Sequence, residues 1–516
     1  MTMIGQLIKR TITVSPRLRM IPALSPERQQ QKMLRRLLRK AAYTRFGLRY
    51  QFSEILRSEN LIAAFQEQVP VHSYDTMFND WWHRTLQGEE NVCWPGKTKY
   101  FALSSGTAGT ASKRIPLTVD MISAIKRGSI KQILSSRNFN LPASVYEKKI
   151  LMLGGSTALN KRGDYFEGDL SGISAKKIPY WFQAFYKPGR KIAKEKNWDK
   201  KLNDIAKKSS SWDVSIMVGV PAWIQIMLEK IIEYNDVENI HDVWPNLAVY
   251  VHSGVSFEPY RGGFKKLLGR PILFQNTYLA SEGHIAFYDH PDCKGMHMML
   301  SNGIFFEFIP FDDQNFDGDG ELLPSARSMW MSEVEEAKPY AIVLSTCAGS
   351  WRYLPGDVIE FTDKEKSQIV ITGRTKHYLS LTGEHLSIDN MNRAISKVSG
   401  ELNIDIREFT VAGIPWEGLF AHHWWIGCDT KVNVSEFKAI LDKNLCTLND
   451  DYATERTSAL KEIIVDILPN TIFFEWMRSK GKLGGQHKFP RVMKGKQLEE
   501  WKIFLESKKS DIGKLK

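Results

Sequence analysis

Between residues 97 and 375, short apolar runs alternate with stretches of helical spacing, and this alternation leaves few architectures open. The runs at 149–153, 214–218, 248–251 and 272–274 are mostly Ile, Leu, Val, Met and aromatic residues. Helical periodicity at 221–234 and 259–268 separates them. Strands that are apolar nearly throughout, rather than at every second position, need cover on both faces. The pattern therefore predicts an α/β fold with buried sheets. From 303 to 372 the runs crowd together, at 304–309, 341–346, 357–361 and 368–372, which predicts a small β-barrel-like part or an antiparallel sheet.

After Gly373-Arg374-Thr375-Lys376 the pattern restarts. A helix at 388–398, strands at 408–414 and 422–428, helices at 435–446 and 455–468, and a strand at 471–476 read as an α+β module. A chain of 516 residues exceeds one ordinary core. The expected organisation is a large N-terminal domain over 1–376, a hinge at 377–384, and a smaller, mobile α+β C-terminal domain over 385–516.

The formal charge of +12 suggests nucleic acid until it is located. Residues 1–50 hold twelve Lys or Arg and one acid, Glu27, so the remaining chain is close to neutral. Ser25-Pro26-Glu27 is a helix start, and Met33, Leu34, Leu37, Leu38, Ala41 and Ala42 recur at helical spacing before Gly47, the expected stop. The basic residues fall on the other face, which reads as a solvated face, so no nucleic-acid partner is expected. No apolar run approaches the roughly 20 residues of a membrane span. The five scattered cysteines fit neither a disulfide framework nor a zinc site, and point to reduced thiols in a cytoplasm. Histidines 72, 252, 284, 377, 422 and 423 have no ligand spacing and read as ordinary buried or surface residues.

Three segments place functional groups at strand ends. Ser104-Ser105-Gly106-Thr107-Ala108-Gly109-Thr110-Ala111-Ser112-Lys113 follows a strand and packs hydroxyls and glycines into a turn ending in lysine. Such a loop can surround phosphate oxygens with N–H groups, hydroxyls and a full positive charge, although its spacing is not that of a Walker loop. Asn276-Thr277-Tyr278-Leu279-Ala280-Ser281-Glu282-Gly283 offers a ring that can stack on a base and a carboxylate that can hold a metal. Ser350-Trp351-Arg352-Tyr353-Leu354-Pro355-Gly356-Asp357 offers an acid on a Pro-Gly turn, able to accept two ribose hydroxyl protons. Each segment alone also reads as an ordinary turn.

Together they resemble the three nucleotide-binding motifs of the auxin-responsive-promoter family of acyl acid amido synthetases, within the adenylate-forming superfamily. The resemblance runs from Ala42-Tyr43-Thr44-Arg45-Phe46-Gly47, through Val218-Gly219-Val220-Pro221-Ala222-Trp223 and His252-Ser253-Gly254, to Gln486-His487-Lys488-Phe489-Pro490-Arg491. It implies the adenylate-forming enzyme fold, and a member of bacterial type. It implies further that Ser104, Ser105, Gly106, Thr107 and Lys113 cradle the ATP triphosphate. Tyr278 would stack on adenine, Ser281 would also bind ATP, Glu282 would ligate Mg²⁺, and Asp357 would hold the ribose hydroxyls. Arg374 and Lys376, where this superfamily has its interdomain hinge, would also bind ATP, and Lys488 would swing in over the α-phosphate.

The implied catalytic set is Lys488, Glu282 and Lys113, and the implied substrates are ATP, a carboxylic acid and an amine, with an amino acid expected as the amine. A CoA-dependent thioester ligase is the alternative. A non-catalytic binder of nucleic acid or membrane surfaces, using the basic N-terminus, is a further one. Ala108, Leu279 and Leu354-Pro355 depart from the family pattern.

Overall fold

The computed structural model describes residues 24–104, 113–178, 180–254, 257, 260–317, 320–375, 386–416, 419–457, 460–481 and 488–508. The expected hinge at 377–384 and Lys376 lie outside these residues, as do Ser105, Gly106, Thr107 and Ala108.

One long sheet organises the larger domain. Five parallel strands come first, in the spatial order Tyr186–Lys187, Lys149–Leu153, Val214–Gly219, Val249–His252 and Leu273–Ala280. Six antiparallel strands continue it: Gly283–Phe287, Met296–Met298, Gln368–Arg374, Asp357–Asp363, Pro339–Thr346 and Ile304–Pro310. The strands expected between 303 and 372 thus extend the long sheet antiparallel, rather than forming a free-standing barrel. The helix Pro221–Asn235 buries Trp223, Ile224, Met227, Leu228 and Ile231 against the parallel half, as its periodicity requires.

A second sheet, in the order Lys113–Leu117, Tyr100–Ser104, Tyr165–Gly168 and Asn160–Arg162, contains the two strands that bracket residues 105–112 in sequence. The helix Pro26–Ala41 starts where Ser25 caps the Arg28 amide. It buries Met33, Leu34, Leu37 and Leu38, at about 1.5–3 kcal/mol each. Arg28, Lys32, Arg36, Arg39 and Lys40 stay exposed. Gly47 is not the stop. The helix ends at Ala41, Thr44 caps a new helix, Arg45–Arg49, and Gly47 lies inside it, where a Cβ would sit 2.1 Å from the Ala41 carbonyl oxygen.

The smaller domain is built on a third sheet, Glu408–Trp416, Leu419–Gly427 and Leu460–Leu468, with the helices Ile388–Leu402 and Val434–Leu448 packed on it. Two expectations here are reversed. The span 455–468 is the end of a helix, Asp450–Thr457, followed by a strand whose Ile463-Ile464-Val465 run pairs parallel with its neighbour. β-Branched side chains fit that pleat better than a helix. The span 471–476 is a helix, Asn470–Ser479, burying Ile472, Phe473, Trp476 and Met477 at helical spacing. These residues join Trp198, Trp223 and Phe257 of the larger domain in one apolar cluster.

Candidate active site

The hairpin of Tyr100–Ser104 and Lys113–Leu117 pairs Ser104 directly with Lys113, so the two ends of the 105–112 loop meet. Its base is tied by charge. Glu167, buried, accepts from Arg114 Nε at 2.9 Å and from Arg162 Nε at 3.1 Å. The Arg114 amide donates to Tyr74 Oη at 2.9 Å, and Lys113 Nζ lies 5.1 Å from the centre of the Tyr74 ring.

Tyr278 is not on a loop after a strand, as the sequence suggested. The strand continues to Ala280, and Ser281-Glu282 is the tip of a hairpin whose ends pair as Ala280 with Gly283. Tyr278 and Ser281 are each 5% exposed and Glu282 is 8% exposed. Burial, then the charge of Asp357, pushes the Glu282 carboxyl up to about 7, while Arg374 and Lys113 pull it back. An acid so enclosed invites a cation or a proton.

Asp357 opens its strand opposite Arg374. One carboxylate oxygen accepts from Tyr278 Oη at 2.5 Å, and the other pairs with Arg374 Nε at 3.2 Å. Each oxygen has a second lone pair, so two further hydroxyls can bind without displacing either partner. Gly356, at φ +92°, makes the turn that aims Asp357, and the Gly356 carbonyl accepts from the Thr375 amide at 2.8 Å. At the Leu354-Pro355 turn the Pro355 backbone carbonyl accepts from Arg374 Nη2 at 2.7 Å.

Lys488 enters from the smaller domain. Its stem passes Gly254, at φ +95°, where a Cβ would lie 3.2 Å from Lys488 Cε and 3.5 Å from Nζ. Glycine leaves that passage open. Lys488 is exposed as a residue, while the end of its side chain lies against Gly254 and lines the adjoining crevice. That enclosure, then the Arg374 charge, lowers its pKa to about 8, against the pull of Asp357. The adjoining narrow crevice has Val220, Trp223, Phe474 and Phe489 among its walls. Tyr278, Glu282, Asp357 and Arg374 therefore meet at one place, with Lys113 and Lys488 within reach of their charges.

Sequence reasoning missed what holds the Asp357 segment. Arg352, at φ +43°, donates Nε to both oxygens of Glu307 at 3.1 and 3.2 Å and Nη1 to the Gln66 carbonyl at 2.7 Å. Glu307 is completely buried and also accepts from Gln66 Nε2 and Ser328 Oγ. A single Glu in an otherwise apolar strand was the available signal, since a buried charge demands a partner.

Of the histidines singled out, His377 lies outside the described residues, and others have defined partners. His72 Nδ1 lies 3.0 Å from the Trp351 carbonyl, and His284 Nε2 lies 3.0 Å from Thr277 Oγ1. Among the described residues no cluster of three or more His, Cys, Asp or Glu could hold a metal ion, and no helix is long and apolar enough to cross a membrane.

Comparison with known proteins gives the lineage. Models of the GH3 family N-terminal, central and C-terminal domains match residues 23–187 and 124–272, 297–374, and 389–497. Indole-3-acetic acid-amido synthetase GH3.4 of Arabidopsis thaliana is 25% identical over 283 residues, 49% of this chain and 45% of that protein. Jasmonoyl–L-amino acid synthetase GH3.5 of Oryza sativa subsp. japonica is 25% identical over 182 residues, 33% and 31% of the two. The matched stretches thus span less than half of these relatives. Both are plant proteins and lend no support to a bacterial-type assignment.

A solved structure of the GH3.15 acyl acid amido synthetase superposes with a TM-score of 0.73 at 16% identity, over 93% of each chain. A 2-hydroxyisobutyryl-CoA ligase in the postadenylation state gives 0.59 at 11% identity, over 93% of this chain and 91% of that one. The fold is accordingly that of adenylate-forming enzymes. With all three of its domain models matched in order along most of the sequence, the chain belongs to the GH3 family.

Proposed function

We propose that this chain is an ATP-dependent acyl acid amido synthetase. The observation that carries the reading is the convergence of Tyr278, Glu282, Asp357 and Arg374 with Lys488, which comes from the other domain. The relatives' names, an indole-3-acetic acid-amido and a jasmonoyl–amino acid synthetase, support an acid and an amino acid as substrates.

In this reading a substrate carboxylate oxygen attacks the α-phosphorus of ATP, and the bond to the β-phosphate oxygen breaks, releasing pyrophosphate. The product is an acyl-adenylate, a mixed anhydride. The nitrogen of an amino acid then attacks its acyl carbon, the C–O bond to phosphate breaks, a proton leaves the nitrogen, and AMP departs with an amide formed. Both reactants of the first step are anionic, so the work is electrostatic and positional. Lys488 screens the charge developing at the α-phosphate, and Lys113 with the 104–112 loop holds the leaving phosphates. Asp357 binds the ribose hydroxyls with its remaining lone pairs, oriented by Tyr278 and Arg374. Tyr278 also borders the base, with its ring packed and its hydroxyl committed to Asp357.

Glu282 fits one Mg²⁺, because its carboxylate is buried, close enough to Asp357 and Lys113 to feel their charges, and suited to a hard cation whose other oxygens nucleotide and water would supply. When bound, Mg²⁺ would supply charge neutralisation at the phosphates. Residues 1–376 and 385–516 are the two working domains of this scheme, joined by the hinge at 377–384, and the cytoplasm is the proposed compartment.

The test is pyrophosphate release across a panel of carboxylic acids, with and without each amino acid or CoA. Acid-dependent release with AMP formation stimulated by an amino acid supports the reading. Stimulation by CoA alone replaces it with a thioester ligase.

A further inference from the structure

Lys488 reaches the crevice because the segment carrying it is held in one orientation. Within the smaller domain that segment is fixed. The Val411 amide donates to the Arg491 carbonyl and the Met493 amide to the Val411 carbonyl, each at 2.9 Å. Arg491, 8% exposed, donates Nη1 to Glu408 Oε2 at 2.5 Å and to the Phe409 carbonyl at 3.0 Å. Its guanidinium lies 4.4 Å from the centre of the Phe409 ring.

Besides the apolar cluster that the two domains share, one buried hydroxyl ties this segment to the larger domain. Tyr260 is 2% exposed and follows, six residues on, the Gly254 that flanks Lys488. Its Oη donates to Glu408 Oε1 at 3.0 Å and accepts from Arg491 Nη2 at 3.4 Å. One oxygen thus closes a buried triad across the domain boundary, just behind Lys488. Other polar ties cross the same boundary among the described residues. Arg407 with Glu229, at 2.8 Å, is partly open to solvent, and Arg478 with Asp199, at 3.0 Å, is more than half exposed. The exposed Arg478–Asp199 pair contributes little, whereas the part-buried Arg407–Glu229 pair, bidentate at 2.8 and 3.0 Å, adds to the hold. A buried hydrogen bond to a charged group biases an equilibrium about ten- to a hundredfold.

We propose that Tyr260 is a positioning residue for the adenylation step, latching Glu408 and Arg491 so that Lys488 stays in the crevice. The latch opens when the smaller domain moves away for amide formation. The inference rests on the reading of Lys488 as the lysine that serves adenylation, and the variants below separate the two.

Tyr260→Phe in the full chain removes only the hydroxyl. Acid-dependent exchange of pyrophosphate into ATP, with the acid that wild type activates best, is expected to fall about tenfold in kcat, with the KM for ATP within about twofold. Amide formation from the chemically prepared acyl-adenylate is expected to be unchanged or faster. Small-angle scattering of the ligand-free chain, which needs no substrate, is expected to show a more extended ensemble than wild type. Exchange at the wild-type rate, an unchanged scattering profile, or equal loss of both half-reactions with a lowered Tm would each overturn the latch. If Lys488→Ala retains exchange, the reading of Lys488 falls as well. If Lys488→Ala loses exchange while Tyr260→Phe keeps it, the latch alone falls.

Discussion

Replacing Glu282 by Gln should make the protein more stable at neutral pH while disabling it. The Glu282 carboxyl has its pKa raised from 4.5 to about 7 by burial and by Asp357. A folded-state pKa above the unfolded one means that the folded protein is favoured where the group is protonated. That contribution is complete below about pH 4.5 and is lost as the pH rises through 7. At about 1.4 kcal/mol for each pH unit between the two values, charged Glu282 costs the folded state about 3 kcal/mol above pH 7. Gln has nearly the same shape and no charge to bury. The difference in Tm between Glu282→Gln and wild type should therefore be small at pH 4.5 and grow to several degrees by pH 7.5, in favour of the variant. Differential scanning calorimetry of both proteins across that range is the assay. A difference independent of pH, or one favouring wild type at pH 7.5, would refute the argument. The energetic burden is the expected signature of a carboxylate kept for a ligand rather than for the fold.

Two other substitutions probe separate parts of the account. Lys488→Ala should reduce acid-dependent pyrophosphate exchange by about two orders of magnitude or more, while ATP affinity by equilibrium dialysis changes a few-fold; a comparable loss in both would mean the lysine serves binding alone. Arg352→Ala strands buried Glu307 and should cost about 3–5 kcal/mol, seen as a markedly lowered Tm. Arg352→Met with Glu307→Leu should recover much of it, and a single variant melting with wild type would show that the pair does not hold the Asp357 segment.

Local pattern was legible where one segment decides its own structure. The strands Lys149–Leu153 and Val214–Gly219 and the helix Pro221–Asn235 follow from apolar runs and periodicity. Leu460–Leu468 and Asn470–Ser479 did not, because both are short and apolar, and only the partner strand and the Trp476 cluster decide between strand and helix.

The site shows the same division. Lys113, Glu282, Asp357 and Lys488 stood out as residue types in motifs. The hydroxyl of Tyr278 on Asp357, 79 positions away, and the pairing of Asp357 with Arg374 depend on sheet order and register, which no single segment encodes. Arg352 with Glu307 and Tyr260 with Glu408 are likewise products of long-range packing.

The central claim is that the site formed by Tyr278, Glu282, Asp357, Arg374 and Lys488 activates a carboxylic acid with ATP and passes it to an amino acid. Its most direct test is mass spectrometry of a reaction containing the purified chain, Mg²⁺, ATP, a carboxylic acid and an amino acid. The account predicts an N-acyl amino acid formed in equal amount with AMP and pyrophosphate, lost in Lys488→Ala. ADP and phosphate as products, or AMP released with no amide and only when CoA is present, would contradict it.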